Sequence, residues 1–442
     1  MKVSFQISIH KLLFLIVCSI HFKGFAQNFQ VIDTSDYEQR TSTIKNQQKK
    51  FEELQASFKK EFKKKVRLEV SAAYKNLQED FEKNVEKKRL IFDTDFNTYI
   101  DSLKQVLITG NPSLNANNYH IYLSRHNAPN ALNMGNGIII LNIGLFKYLE
   151  NESQLASVIS HEIAHQSLEH VKQNIVYKAE LNTSKEKQQL AKTIKKEKYN
   201  QYDKAFGIMK ELIYANSKLH KKQELEADSL GFEYFNNTSY TKIDFIKALE
   251  KLAELDTLPS IELKKETYAS FFNLPKLPFN EEWLKMEDFS AYNYNHYKKK
   301  IEEDSIKSHP EIVKRIASLK KHYPKEFSNT ISKKPGNRFL ALQKIARQED
   351  VANWHYIEKY GASVYLCLYK LEKNPTNTYY KKWLGKNFAA LYQAKKNYVF
   401  NRYVDRVIPN EQSKNYQQLI SFLWNLNLNE LQEIGNYYQN VD

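Results

Sequence analysis

Apolar side chains return at every third or fourth position through most of this 442-residue chain, and one short region changes to the alternation of strands. From Asp33 to about Ile91 the pattern is helical and heavily charged. Phe51, Leu54, Phe58, Phe62 and Val66 form a stripe that Tyr74, Leu77, Phe81 and Val85 repeat. The stripe predicts one or two long amphipathic helices packed on the body of the protein, with a partner-binding coiled coil as the other use of such a pattern. A further helix over Phe96 to Leu107, with Ile100 and Leu103 turned inward, ends at Gly110-Asn111-Pro112.

The period then changes. Tyr119 to Leu123 and Gly137 to Leu141 read as strands, separated by a turn-rich stretch over Asn127 to Asn136 in which Asn136-Gly137 leads into the second strand. Helices resume at Asn151, whose side chain can cap free amides while Gln154 reaches back. Leu155, Val158, Ile159 and Ala164 bury the sides of that helix. A Lys-rich helical insert fills Val171 to Lys222, and apolar helices follow over Leu225 to Phe235 and residues 243 to 255. Pro259, Pro275 and Pro278 break an aromatic-rich stretch that reads as surface loops, and a helix over Pro310 to His322 ends near the linker marked by Pro324 and Pro335. From Arg338 to Tyr438 helical stripes alternate with short turns. Around Pro375 they resemble the helix pairs of tetratricopeptide repeats, with a plain helical bundle as the alternative.

Length and composition add compartment and charge. A chain of this size is expected to hold two or three domains. Lys2 and Lys11, the short apolar stretch Leu12 to Ile20 and the small residue Ala26 before Gln27 predict an export signal cleaved after Ala26. That stretch is far short of the roughly 20 residues a spanning helix needs, and no later segment reaches that length. The mature chain is therefore expected to have no transmembrane segment and to be periplasmic or peripheral to the cell envelope. Cys18 falls inside the signal, with lipid attachment as a rival use. Only Cys367 remains afterwards, so no intrachain disulfide can form. The formal charge of +15 is spread along helices. Solvated helix faces account for most of it, and peripheral contact with an anionic membrane stays open. Export argues against nucleic acid as a partner.

The chemistry centres on SVISHEIAHQSLEH, residues 157 to 170. His161 and His165 stand four apart, so both imidazoles leave one face of a helix and can hold one zinc ion, with Glu162 beside them to act on a water. The same short pattern occurs on ordinary surface helices. Here it lies in an apolar helix, where two histidines and a carboxylate are costly to bury without a partner such as a metal. A catalytic zinc needs a third protein ligand. Leu168 and Val171 stand where the metzincin pattern requires glycine and histidine, which excludes that class. His170 is one position off the face of His161 and His165 and reads as a helix-surface residue. In QELEADSLG, Glu224 and Asp228 share a helix face, so Glu224 can supply an oxygen ligand and Asp228 can accept the free ring N–H of a ligand histidine, with His161 as its expected partner. A solvated acidic face is the other reading of that pair. Glu226 falls on another side of its helix.

Four stretches together resemble the gluzincin peptidases of family M forty-eight, which includes HtpX-like and CAAX-prenyl-protease-like enzymes. They are PNALNMGNGIIILNIGL (129 to 145), ESQLASVISHEIAHQSLEH (152 to 170), QELEADSLG (223 to 231) and SHPEIVKRIASL (308 to 319). The resemblance implies His161, His165 and Glu224 as ligands of one zinc ion per chain, Glu162 as general base and Asp228 as the partner behind a ligand. It also implies that Asn130, Ala131 and the strand of Ile138, Ile139 and Ile140 bind an extended peptide by strand addition. His309 and Arg315 fall at positions the family brings near the site, to steady an oxyanion or regulate access. Asn133 to Gly137 depart from the family's commoner phenylalanine and proline around that turn, and the membrane spans of many members are missing.

The expected fold is mainly α with a small β-sheet (α+β): a signal peptide over 1–26, an amphipathic helical region over 27–95, a zincin-type metallopeptidase domain over 96–325 and a helical, tetratricopeptide-like domain over 338–442. The expected function is that of an exported zinc-dependent endopeptidase acting on unfolded or misassembled envelope proteins, with the C-terminal helices meeting envelope assembly machinery. A periplasmic chaperone or assembly factor with latent protease activity is the alternative.

Overall fold

Two long helices, α1 (Tyr37–Glu61) and α2 (Lys64–Glu86), carry the first apolar stripe, and Phe62 breaks them apart by turning the backbone to an extended conformation. In this computed structural model residues 31–186, 189, 193, 201–254, 262–287, 312–327, 331–409 and 411–441 are described, with the backbone alone at 201–214. The expected export signal lies outside them. The stripe packs inward along its length. Phe58, Val70 and Tyr74 meet Ile175, Val176 and Ala179 of α6 (His170–Thr183), while Phe81 and Val85 continue under the sheet against Leu90, Met134, Ile138 and Ile140.

The sheet has four strands in the order β1 (Leu90–Ile91), β2 (His120–Ser124), β4 (Ile138–Asn142), β3 (Ala131–Asn133). β2 and β4 run parallel, pairing His120 with Ile138 through Ser124 with Asn142. β3 returns antiparallel on the other side of β4, pairing Ala131 with Leu141 and Asn133 with Ile139. A strand flanked on both sides is expected to be continuously apolar, as Ile138 to Leu141 are. The β3–β4 turn uses Gly135 and Gly137 at φ of +76° and +83°, a region closed to most side chains.

The other sheet face and the helices α3 (Thr94–Gly110), α5 (Glu152–Ser167), α7 (Gln201–Asn236) and α8 (Ile243–Glu254) share one apolar core. Asp93 caps α3 by accepting from the amides of Asp95 and Phe96, and Asn111 ties its far end to the Tyr234 carbonyl of α7. Asn151 caps α5 as expected, accepting from the Gln154 amide at 2.9 Å, while Gln154 reaches one residue further back, to the amide of Glu150. α5 is buried almost all round, and Ala156, Ser157, Ser160 and Ala164 keep it slim enough for its neighbours to close in. The apolar stretch at Leu225 to Phe235 is the end of the 36-residue α7.

The aromatic stretch after Pro259 departs from the expected surface loops. Tyr268 and Phe272 of α9 (Lys265–Phe272), together with Trp283, are buried among C-terminal helices, with Phe272 5.4 Å from Phe388 and 4.8 Å from Phe422 between ring centroids. These partners lie on α14 (Thr378–Lys396) and α15 (Lys414–Asn425), which with α13 (Tyr360–Lys373) and α16 (Leu428–Gln439) build the C-terminal bundle. The region after Pro335 is joined to the core as firmly. Phe339, Leu342 and Ala346 of α11 (Asn337–Gln348) belong to the same apolar cluster as α5. At the end of α11, Glu349 accepts from the fully buried Arg125 at 3.0 Å and from the Ile32 amide at 2.8 Å. Residues Ile32–Asp442 form one compact unit. Among the described residues no helix is long and apolar enough to cross a membrane.

Candidate active site

The sequence brings the two site motifs together through a missing side chain. Gly231 of α7 stands against α5, and a Cβ built there would lie 2.9 Å from the Cα and 3.1 Å from the N of His161. Only glycine permits backbones this close. Gly231 lies two helical turns beyond Glu224, so the contact sets the distance between the carboxylate and the two histidines. In the sequence, the glycine that follows Leu230 inside an apolar helical stretch is the signal of such a contact.

His161, His165 and Glu224 converge, with one ligand atom from each lying within 4.8 Å of the others. The two Nε2 atoms are 3.0 Å apart, His161 Nε2 is 3.7 Å from Glu224 Oε2, and His165 Nε2 is 3.5 Å from Glu224 Oε1. His161 Nδ1 lies 3.0 Å from Asp228 Oδ1, and a carboxylate there favours the ring proton on Nδ1 and the lone pair on Nε2. Asp228 is itself held by Arg315 of α10 (Ile312–His322), whose Nε and Nη2 donate to its two oxygens at 2.7 and 2.6 Å, while Nη1 reaches Glu224 Oε2 at 3.0 Å. Burial alone would raise the Asp228 carboxyl, but Arg315 and His161 hold it below its ordinary value. Burial also opposes the charge on Arg315, and Asp228, Glu224 and Glu162 outweigh it and push its pKa up.

These residues fit a divalent cation. Two imidazole nitrogens and a carboxylate meet at separations suited to a common ligand sphere, and among the described residues Asp228, Glu224 and Glu162 all stand near the Arg315 guanidinium. Glu162, one residue on from His161, is 8% exposed and lines the same cleft, which has a volume of about 980 Å³. Asn130 and Ala131 line it too. Asn133 donates to the Glu162 carbonyl at 3.0 Å and so pins β3 alongside the site helix.

The structure separates the residues expected to bind a peptide. Ile138, Ile139 and Ile140 are buried on β4, and Ile139 and Ile140 pair with a strand on both sides, so β4 offers no edge for a further strand. The outer position beside α5 belongs to β3, where Leu132 is exposed. All three guanidinium nitrogens of Arg315 face carboxylates, which sets it behind the ligands. His309 lies outside the described residues.

His170 departs most from expectation. It is 2% exposed, and its Nδ1 lies 2.8 Å from Nδ1 of His165. Burial, with His165 as the next contributor, lowers its pKa to about 4. α5 does not continue through it. Glu169 takes a left-handed conformation at φ 52°, α6 starts afresh at His170, and the ring swings back beneath His165.

A histidine pair on one helix, a carboxylate from a second and a glutamate beside the pair define a metal-dependent peptidase. A family model for Peptidase family M48 matches residues 97–323, just over half of the chain, and the chain belongs to that metallopeptidase family. It is also similar to two curated proteins named Beta-barrel assembly-enhancing protease, at 37% identity over 82 residues to that of Yersinia pestis and at 38% over 82 residues to that of Escherichia coli (strain K12). Each match covers 19% of this chain and spans 17% of the relative. Family membership favours a peptidase over a chaperone with latent activity.

Proposed function

We propose that this chain is an exported, zinc-dependent endopeptidase that cleaves unfolded or misassembled proteins of the cell envelope. The observation that carries the chemistry is the meeting of His161 Nε2, His165 Nε2 and a Glu224 oxygen beside Glu162 in one open cleft. His161, His165 and Glu224 would hold the zinc ion, which when bound supplies a Lewis acid that activates water and polarises the scissile carbonyl. Glu162 takes the proton of the attacking water and delivers it to the leaving amine. Asp228 and Arg315 keep the His161 ring and the Glu224 carboxylate in place, so that neither must reorient during the reaction. An extended substrate segment would pair with β3 at Ala131 to Asn133, beside Asn130, through backbone hydrogen bonds that require no particular side chain. A substrate must expose unpaired backbone to bind this way, which favours unfolded over folded clients.

The envelope setting is supported by the expected export signal and by the names of the two relatives. In this reading the C-terminal helices, grouped in tetratricopeptide-like pairs, are the surface for assembly machinery. Elemental analysis and casein cleavage on the same purified samples test the enzymatic part. Wild type should hold about one zinc and cleave, Glu224→Ala should lose metal and activity, and Glu162→Gln should keep metal and be inert. A wild type that holds zinc and cleaves nothing would refute the peptidase assignment, and one that holds none would remove the metal site.

A further inference from the structure

His161 has the Asp228 carboxylate behind its Nδ1, but among the described residues no carboxylate stands behind the Nδ1 of His165. Its Nδ1 faces Nδ1 of His170 at 2.8 Å, with the rings 75° apart and 4.9 Å between centroids. The Nε2 atoms of His161 and His165, 3.0 Å apart, converge with Glu224 on the proposed metal position. The Nδ1 atoms of His165 and His170 lie off it, where a pair at that distance shares one proton, so one donates and the other accepts. The far side of His170 decides which. Its Nε2 is buried and lies 3.3 Å from Glu226 Oε2, long for a hydrogen bond but close enough for the carboxylate to favour an N–H over a lone pair there. His170 therefore carries its proton on Nε2 and accepts at Nδ1. His165 must donate from Nδ1, and its Nε2 is left bare toward His161 and Glu224.

We propose that His170 and Glu226 are positioning residues that fix His165 in its ligating tautomer and orientation, a counterpart to Asp228 and Arg315 behind His161. Three further features hold the relay in place. The left-handed turn at Glu169 aims the ring, the Gln173 side chain donates to the Leu168 carbonyl across that turn at 2.8 Å, and Gln223, fixed by Asn174 at 2.9 Å, reaches the His170 carbonyl at 3.5 Å. Glu226 and Gln223 lie on α7 beside Glu224, so the helix that supplies the third ligand also sets the tautomer of the second. Lys222 lies 3.4 Å from Glu226 Oε1, on the other oxygen from the one that faces His170.

The inference rests on His165 being a metal ligand, and the test separates the two claims. Zinc affinity of the purified chain is measured by competition with a chromogenic chelator for wild type, His165→Ala, His170→Asn and His170→Leu. Asn and Leu have the same shape, but only the Asn amide oxygen can accept from His165 Nδ1. His170→Leu should weaken zinc binding about 10- to 100-fold and alter the visible spectrum of the cobalt-substituted protein, while His170→Asn stays near wild type. Equal affinities for the Asn and Leu variants, whether strong or weak, would overturn the relay, since a packing role alone does not distinguish them. A wild type that binds no zinc, or as much as His165→Ala, overturns the ligand assignment and the relay with it. If melting of the metal-free Leu variant shows that it does not fold, the half-exposed Glu226 provides the same contrast. Glu226→Ala should lose affinity that Glu226→Gln, still an acceptor, retains, and identical behaviour of the two would refute the proposal.

Discussion

Replacing Gly231 with alanine sets two effects of known sign against each other. Alanine in a helix interior is favoured over glycine by about 1 kcal/mol. The new Cβ, however, would meet His161 Cα at 2.9 Å, His161 N at 3.1 Å and Ser160 O at 3.2 Å, all main-chain atoms that no rotamer change can move aside. Ordinary carbon contacts begin near 3.5 Å, so α5 and α7 must part by roughly 0.5 Å. Overpacking of this kind costs about 1–3 kcal/mol, and the net change in stability is expected to be a loss of up to about 2 kcal/mol. The larger effect falls on the site, because Glu224 rides on α7 and the two histidines on α5. Metal–ligand distances tolerate only about 0.2 Å, and a displacement of about 1 Å in catalytic geometry costs about 100-fold in rate. Urea denaturation of the metal-free protein, chelator competition for zinc and casein cleavage measure the three quantities together. Gly231→Ala should lose far more zinc affinity and turnover than stability, and Gly231→Val more of each. An alanine variant stabilised by about 1 kcal/mol with unchanged zinc affinity would show slack between the helices and refute the argument.

Arg315→Ala removes the cation between Asp228 and Glu224. It should destabilise the metal-free protein by about 3–5 kcal/mol in urea, and Arg315→Lys should recover only part because an ammonium cannot span both carboxylates. Phe339→Ala, emptying a position that packs 6.0 Å from the Phe146 ring, should cost about 3–5 kcal/mol and shift a single unfolding transition seen by both circular dichroism and tryptophan fluorescence. A split into two transitions would mean that the core and the C-terminal helices unfold separately. Burial lowers the pKa of His355 below 6.5, with Asn387 opposing at 2.8 Å, so the unfolded chain takes up a proton there before the folded one. Its contribution to stability is complete above about pH 6.5 and is lost as pH falls toward the folded-state pKa. Melting temperature should drop between pH 7.5 and 5.5, and His355→Gln should flatten that slope without abolishing it, because burial lowers His120 in the same sense.

The parts of the fold that follow from local chemistry are legible in the sequence. The stripes of α1 and α2 name residues that face inward, with Phe58, Tyr74, Phe81 and Val85 buried and Phe51, Leu54, Phe62, Val66 and Leu77 half-buried, though they omit the buried Val70. The four-residue spacings in α5 and α7 bring His161, His165, Glu224 and Asp228 to one place. β3 is not legible, because Ala131-Leu132-Asn133 is too short to show alternation and has no β-branched side chain, and its pairing is set by β4 and by the bond from Asn133 to Glu162. The burial of His170 is not legible either, because Leu168-Glu169-His170 contains no glycine, proline or asparagine to announce a break. The left-handed residue is imposed by packing beneath His165 and against α7. The segment after Pro259 misled for the opposite reason. Its prolines signal a loop, yet its aromatics are what the C-terminal bundle needs to fill its centre.

The buried meeting of Arg125 with Glu349 bears on how much of the chain can stand alone. Arg125 leads out of β2, also donates to the Lys88 carbonyl and to Asn353, and lies over the Tyr356 ring, while Glu349 secures the Ile32 amide from the far end of the sequence. A shortened chain cut to the boundaries 97–323 would keep the guanidinium and lose both its carboxylate and its aromatic cover. The peptidase is thus expected not to be released as a stable fragment by gentle proteolysis, because Lys88, Glu349 and Tyr356, all outside those boundaries, complete the surroundings of Arg125.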